Sequence, residues 1–506
     1  MGTHNPGSVP AIRIRAMNAA PFRTDGRYVL YWMTAARRAR WNFALDRAVE
    51  LARDLDRPLI VLEALRAGYP WASERLHRFV LDGMADNARA FERGGVCYHP
   101  YVEPRAGAGR GLVERLAADA CAVVTDEYPA FFLPHMVSAA ARKVSVRLEA
   151  VDSNGLLPLR AADKSFARAF DFRRFLQREL APHLAAAPRS DPLRTELRPC
   201  RRLPDGVAAR WPRASESLLG GADGALAELP IDHGVPPAPL AGGSQAGSRA
   251  LKRFLADGLE RYGAERSQPE SDASSGLSPY LHFGHVSPHE VLQALARREG
   301  WSPSEVTGAR KGKRTGWWGM SGAAESFLDE LVTWRELGLN FCAQRDDYDR
   351  YESLPDWART TLEEHAGDRR PHLYTLAQFE RAETHDDLWN AAQNQLRIEG
   401  RIHNYLRMLW GKKILHWSES PRDALATMIE LNNKYALDGR DPNSYSGIFW
   451  VLGRYDRAWG PEREVFGKIR YMSSENTRRK LSVDAYIERW EKWELPSASS
   501  RRSARA

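Results

Sequence analysis

The chain has little cysteine, no long apolar run and no apolar leader. Its four cysteines, Cys97, Cys121, Cys200 and Cys342, are far apart and form no CxxC pair. That spacing speaks against a disulfide framework and against zinc or another bound metal, and so for a reducing, cytoplasmic compartment. No apolar stretch approaches the ~20 residues of a membrane span. The opening MGTHNPGSVP lacks the core of a signal peptide. It and the closing SASSRRSARA read as disordered tails, over 1–11 and 496–506. No GxGxxG follows the first predicted strand, which excludes an ordinary dinucleotide site there. There is no internal repeat.

What is present points to more than one domain, because 506 residues exceed a single core. The net charge of +8 favours a polyanionic partner, nucleic acid above all. An Arg- and Ala-rich composition gives the same charge without one. Of 16 tryptophans, 12 follow residue 300, which implies either an aromatic-lined site or a large helical core in the second half. Over 12–165, apolar runs at 28–33, 58–65, 96–102, 121–127 and 144–152 alternate with helical periodicity at 38–55, 73–94, 111–120 and 131–143. This βαβ alternation predicts a Rossmann-like parallel sheet covered on both faces. Its switch point holds either no ligand or a small chromophore. Residues 166–249 read as a connector, with a Pro-, Gly-, Ala- and Ser-rich linker over 186–249. From 250 to 495 the pattern is all-α. GARKGKRTG (308–316) reads as a mobile basic loop.

Four segments carry residue types suited to chemistry. In SSGLSPYLHFGHVS, Ser274, Ser275 and Ser278 precede a helical run; they form either an anion site or a helix cap. In FLDELVTWRELGLNF, Glu330 and Trp334 lie at i, i+4, which puts an acceptor and a stacking plate on one helix face. The alternative is a surface charge beside a core tryptophan. In GRIHNYLRMLWGKKILHW, His403, Arg407 and Trp410 share a stripe, and Trp417 follows two turns on, about 10 Å along the axis. A buried arginine requires an anionic partner; Asp438 and Asp441 are the candidates. In the last segment, Arg454, Arg457, Arg463, Lys468, Arg470, Arg478, Arg479 and Lys480 interleave with Tyr455, Trp459, Phe466 and Tyr471. That mixture suits a phosphate backbone and splayed bases, or a solvated helical face.

The blocks YVLYWMTAARRARWNFAL, SSGLSPYLHFGHVS, THDDLWNAAQ, ALDGRDPNSYSGIFW and EREVFGKIRYM occur in this order. In content and order they resemble the photolyase/cryptochrome family, and within it the class II cyclobutane pyrimidine dimer photolyases, over roughly 12–490. The resemblance implies an α/β antenna domain, a connector and an all-α FAD-binding catalytic domain. It implies FAD phosphate and ribose contacts at Tyr262, Ser274, Ser275, Leu277 and Ser278. Arg407 matches the arginine over the flavin, and Asp438 its ion-pair partner; Asp441 is a further cofactor contact. Asn432 matches an asparagine near flavin N5. Asn433 departs from an expected acidic residue, and Ser444 from an expected glycine. Trp410, Trp389 and Trp417 match the proximal, middle and distal members of an electron-transfer chain that serves activation rather than repair.

For repair, the resemblance implies a flipped dimer flanked by Trp334 and Trp450, with Glu330 bonded to its carbonyls. Met408 stands where (6-4) photolyases carry a histidine, which implies the cyclobutane dimer as substrate. The expected partner is double-stranded DNA containing a pyrimidine dimer, with Arg454, Arg463, Lys468 and Arg470 on its backbone. A soluble monomer is expected, bacterial and nucleoid-associated, with no membrane and no obligate protein partner. The family carries a deazaflavin, a folate or no second chromophore in the antenna domain; a deazaflavin is expected here, although VVTDEYPAFFLPHM (123–136) departs from the expected basic, aromatic stretch. Two alternatives differ in class. A cryptochrome-like blue-light photoreceptor would share the FAD and the tryptophan chain but lack a complete lesion pocket. A dark flavin oxidoreductase would leave the basic–aromatic segment without a role.

Overall fold

The computed structural model describes residues 9–491 apart from 201, 272 and 308–310. The tail expected at 496–506, most of that at 1–11, and the first three residues of GARKGKRTG therefore lie outside the described residues. Packing begins at Val9, whose N–H donates to Glu50 at 3.0 Å.

Six strands form one sheet: β1 (Ile14–Ala16), β2 (Tyr28–Met33), β3 (Leu59–Leu65), β4 (Cys97–Val102), β5 (Ala120–Glu127) and β6 (Leu148–Asp152). Their order is β1-β6-β5-β2-β3-β4. Only β1 runs antiparallel, against β6; β2 to β6 pair in parallel. All six residues of β2 are buried, which is why this strand reads as an unbroken apolar run. Val29, Tyr31 and Met33 face one core, with α1 (Phe43–Asp54) and the end of α2 (Glu74–Arg93). Tyr28, Leu30 and Trp32 face the other, with α3 (Leu112–Ala117) and α4 (Leu133–Ala141). Strand β1 was not legible, because three residues, two of them exposed, carry no periodicity.

Helix α1 starts later than the periodicity over 38–55 predicts. The Asn42 carboxamide accepts from the N–H groups of Ala44 and Leu45. Its Nδ2 donates to the Ala36 and Arg38 carbonyls, each at 3.0 Å. The cap thus holds residues 36–42 as a loop. Cys97 and Cys200, remote in sequence, meet beside the second core as free thiols.

The segment expected to be a linker packs instead. Val207 and Trp211 fill the second sheet core, and the Trp211 indole donates to the Ala108 carbonyl at 3.0 Å. Leu219, Leu226 and Leu229 cover α2 with Val80 and Met84. Each apolar side chain enters its own recess, so no period results. Helix α5 (Ala169–Glu179) leads into this segment.

Beyond 250 the described chain is helical. Helix Pro442–Val451 crosses helix Arg335–Gln344 at Gly338, where a Cβ would meet Asn443 Cα at 2.6 Å. It meets helix Asn404–Trp417 at Gly411, where a Cβ would come within 2.6 Å of Val451. These two glycines let three helices close around one space. The halves dock through Glu336, whose carboxylate accepts the Leu156 and Leu157 N–H groups at 2.6 and 3.2 Å. Burial pushes the Glu336 pKa up to about 7. Among the described residues no helix is long and apolar enough to cross a membrane.

Candidate functional site

The helices enclose a cavity of about 1260 Å³, above the ~300–1,000 Å³ usual for one small ligand. Tyr262, Ser274, Ser275, Leu277 and Ser278 are among the residues that line it. The serines lead into the short helix Ser278–His282. His403, Arg407 and Trp410 also line it, as their shared stripe predicts. Asn432 and Ser444 close it, the Asn432 amide donating to Ser444 Oγ at 2.7 Å.

Of the two candidate partners for Arg407, the structure selects Asp438, at 2.9 Å. Asp441 lines the cavity but has other duties. Its Oδ1 caps helix Pro442–Val451 at the Asn443 N–H, 2.8 Å away. Its Oδ2 accepts from Tyr128 at 3.1 Å and lies 3.2 Å from His282 Nδ1. Those contacts hold it below the usual carboxylate range against the opposing effect of burial. Asn433 does not line the cavity. It is buried, accepting the Arg440 N–H at 2.8 Å and donating to Tyr445 at 3.2 Å. The departure at 433 therefore acts through packing, whereas Ser444 faces the cavity.

From Trp410 a row of indoles leads away from the cavity. Trp389 stacks on Trp410 with ring centroids 6.5 Å apart and planes 2° from parallel. Its indole donates to the Trp410 carbonyl at 3.0 Å. Trp417 follows at 6.1 Å, edge-on. Trp417 is only 1% exposed, so the row does not end at the surface there. Tyr374 and His385 pack on it at 5.7 and 5.0 Å.

Glu330, Trp334, Met408 and Trp450 all line the same space. Glu330 and Trp334 belong to a π-helical turn, Asp329–Trp334, which the i, i+4 argument did not anticipate. Such turns concentrate at functional sites. Glu330 is paired with Arg266, a residue without a motif of its own. Desolvation raises the Glu330 pKa, and Arg266 opposes that shift.

Beneath Trp450 the buried Lys412 ammonium lies 5.1 Å from the ring. Arg470 covers Trp450 at 5.7 Å and Trp459 at 5.1 Å, and Arg457 covers Trp459 at 4.4 Å. The basic–aromatic segment is thus a cation–π ladder leading into the cavity. Arg454 is a correction: it is 4% exposed, donates to the Ser353 carbonyl and stacks on Phe341 at 4.1 Å. It serves the core and cannot reach a phosphate backbone. Arg463 is exposed over Tyr471. Lys468 is exposed and paired with Glu462 at 2.9 Å. Neither lines the cavity.

The switch point of the sheet lies between β2 and β5, where an open α/β sheet places a ligand. Here the backbone N–H groups of Thr34, Ala35 and Ala36 donate to the Asp126 carboxylate at 2.7, 2.8 and 3.0 Å. Tyr31 donates to it at 2.8 Å. The space left in this crevice is about 10 Å³. The chain's own carboxylate fills the anion nest, so the crevice does not fit a chromophore.

The large cavity does fit a flavin dinucleotide. Arg407 Nε and His403 Nδ1 are buried without a partner. Burial lowers the His403 pKa to about 4, so a neutral imidazole and a paired guanidinium face the space. The serines at 274, 275 and 278 that share this lining are of a type that suits phosphate.

No family model matches the chain. The deoxyribodipyrimidine photo-lyase of Methanothermobacter thermautotrophicus is 35% identical over 486 residues, covering 95% of this chain and 98% of that one. That of Potorous tridactylus is 34% identical over 90% and 79% of the two chains. That of Arabidopsis thaliana is 33% identical over 91% and 88%. Among solved structures, a class III photolyase from Agrobacterium tumefaciens superposes with a TM-score of 0.64 at 17% identity, covering 95% and 92%. A cryptochrome from Synechocystis gives 0.62 at 14%, covering 92% and 88%. These two show the fold: an α/β domain with a helical partner. With curated relatives matched at this identity along nearly its whole length, the chain belongs to the deoxyribodipyrimidine photo-lyase family, the flavoprotein enzymes of light-driven DNA repair.

Proposed function

We propose that this enzyme is of the class II type, binds FAD in the large cavity, and repairs cyclobutane pyrimidine dimers flipped out of double-stranded DNA. One observation carries this: Glu330, Trp334, Met408 and Trp450, from three segments, open onto the space that the Arg407–Asp438 pair also lines. Reduced FAD, when bound, supplies the light-driven electron that splits the cyclobutane ring and then takes the electron back.

The chain supplies position and electrostatics. Tyr262, Ser274, Ser275, Leu277 and Ser278 hold the phosphate and ribose end. Arg407 provides the positive charge that favours an anionic ring, and Asp438 fixes its guanidinium. Asn432, oriented by its bond to Ser444, faces the ring edge. Trp334 and Trp450 flank the extruded bases, whose unpairing costs less at a damaged site. Glu330 meets their carbonyls, held in place by Arg266. Met408 contributes apolar contact where an acid–base residue would serve a different lesion. Trp410, Trp389 and Trp417 form the route by which the cofactor is reduced for activation. Arg457 and Arg470, at the cavity's edge, meet the DNA backbone.

The test is photorepair. Purified, photoreduced protein is mixed with an oligonucleotide carrying one thymine dimer, in blue light or in darkness. Dimers should disappear only in light. Glu330→Ala should weaken repair by roughly 10- to 100-fold, the worth of a hydrogen bond to a charged group. Repair of a (6-4) photoproduct but not of the dimer would overturn the assignment of the lesion.

A further inference from the structure

The residues proposed so far to meet the DNA backbone, Arg457 and Arg470, both line the cavity. Another part of the lining comes from the start of α5, where Arg168 bridges to Tyr455, and from the loop that begins at Lys311. Arg168, Phe170, Gly312 and Arg314 line the cavity there. Lys311, Lys313 and Arg314 are exposed.

This loop is held in place. Gln177 on α5 is 4% exposed; its Oε1 accepts the Gly312 N–H at 2.9 Å and its Nε2 donates to the Lys313 carbonyl at 2.8 Å. One buried amide therefore grips two successive residues of the loop. Gly312 has φ +72°, and a Cβ there would lie 2.7 Å from Arg174 and 2.8 Å from Phe170. The loop base is closed by Thr307, whose Oγ1 donates to the Gly316 carbonyl at 2.9 Å and whose N–H donates to that of Trp317 at 3.0 Å. The segment that reads as a mobile basic loop is thus anchored at Gly312, Lys313 and Gly316.

Its charges are also left available. Neighbouring arginines are engaged by carboxylates, Arg173 by Asp329 at 3.0 Å and Arg266 by Glu330. Among the described residues none of Lys311, Lys313 and Arg314 forms an ion pair. Arg314 acts on Glu330 only through its field, helping to lower the Glu330 pKa. Three unpaired cations on a loop fixed by a buried amide constitute a surface built for an anion chain.

We propose that Lys311, Lys313 and Arg314 form a second phosphate-contacting surface at the cavity, which grips the DNA backbone together with Arg457 and Arg470. The inference rests on the cavity being the lesion site. Each neutralised phosphate adds ~0.9 to the slope of log affinity against log salt, and phosphate contacts position DNA without reading sequence.

The experiment measures fluorescence anisotropy of a labelled duplex carrying one thymine dimer, in darkness, across a KCl series. The triple variant Lys311→Gln, Lys313→Gln, Arg314→Gln should lower the magnitude of the slope by about 2 to 3. An undamaged duplex should show the same loss. In light, the defect should appear in KM rather than kcat. The matched variant Arg93→Gln, Arg110→Gln, Arg142→Gln, on the α/β domain, should retain the wild-type slope. An unchanged slope in the loop variant, or an equal loss in the matched variant, overturns the proposal. Photorepair by the wild-type protein in the same samples reports separately on the lesion site.

Discussion

Lys412 offers a quantitative test of the packing beneath the lesion pocket. Its side chain is 1% exposed. The ammonium donates to the Val451 carbonyl at 2.5 Å, at the end of the helix that carries Trp450, and lies under the Trp450 ring. Burial lowers its pKa from 10.5 to about 7, with Asp456 opposing and Arg470 adding to the shift. Between those two values the unfolded chain binds a proton that the folded chain does not. Wild-type stability therefore rises with pH across this window, and the full cost of the buried ammonium is present below about pH 7. At ~1.4 kcal/mol per pH unit, that cost is about 5 kcal/mol at pH 6.5 and about 3 kcal/mol at pH 8.5.

Lys412→Met removes the titration. It also removes one hydrogen bond and one cation–π contact, together about 2 kcal/mol. The variant should be more stable than wild type by about 3 kcal/mol at pH 6.5, and that lead should shrink by about 2 kcal/mol at pH 8.5. Urea unfolding followed by tryptophan fluorescence at both pH values measures the difference, in which terms common to both proteins cancel. A difference that does not change with pH, or that grows as pH rises, refutes the reasoning. Because the ammonium also braces Trp450, the variant should raise KM for dimer-containing DNA.

Two further outcomes follow from the site. Trp389→Phe should largely abolish blue-light reduction of the oxidised cofactor, since Trp410 and Trp417 are then left about 10 Å apart along their helix; repair by chemically reduced protein should persist, and loss of both activities would contradict the assigned role. Gly338→Ala should cost about 1–3 kcal/mol through overpacking, because the new methyl meets Asn443 backbone at 2.6 Å. Thermal melting and flavin content should fall together, and an unaffected melting curve would show that the crossing is not tight.

Much of this protein is determined by local sequence. Strand β2 is apolar at every position because both faces of the sheet are covered. His403, Arg407 and Trp410 reach one cavity because a helix repeats every 3.6 residues. The same periodicity put Glu330 and Trp334 together even though their turn is π-helical. Family blocks added the order of the tryptophans, and the stacking of Trp389 on Trp410 agrees with it.

Tertiary structure decided what periodicity cannot encode. Asp438 and Asp441 are equivalent candidates in the sequence; helix packing gives Arg407 to the first and makes the second a cap. Arg454 and Arg470 look alike in a basic run, yet one stacks on Phe341 in the core and the other on Trp450 at the cavity. Arg266 has no motif, and reaches Glu330 only because two helices meet. The connector's scattered apolar residues gave no sign that Trp211 and Leu219 would pack on the α/β domain. The switch point, open by topology, is filled by Asp126. Apart from the Asp441 cap, the partner is in each case distant in sequence. Local periodicity sets which face of an element a side chain occupies, and only the packing of elements sets what that face meets.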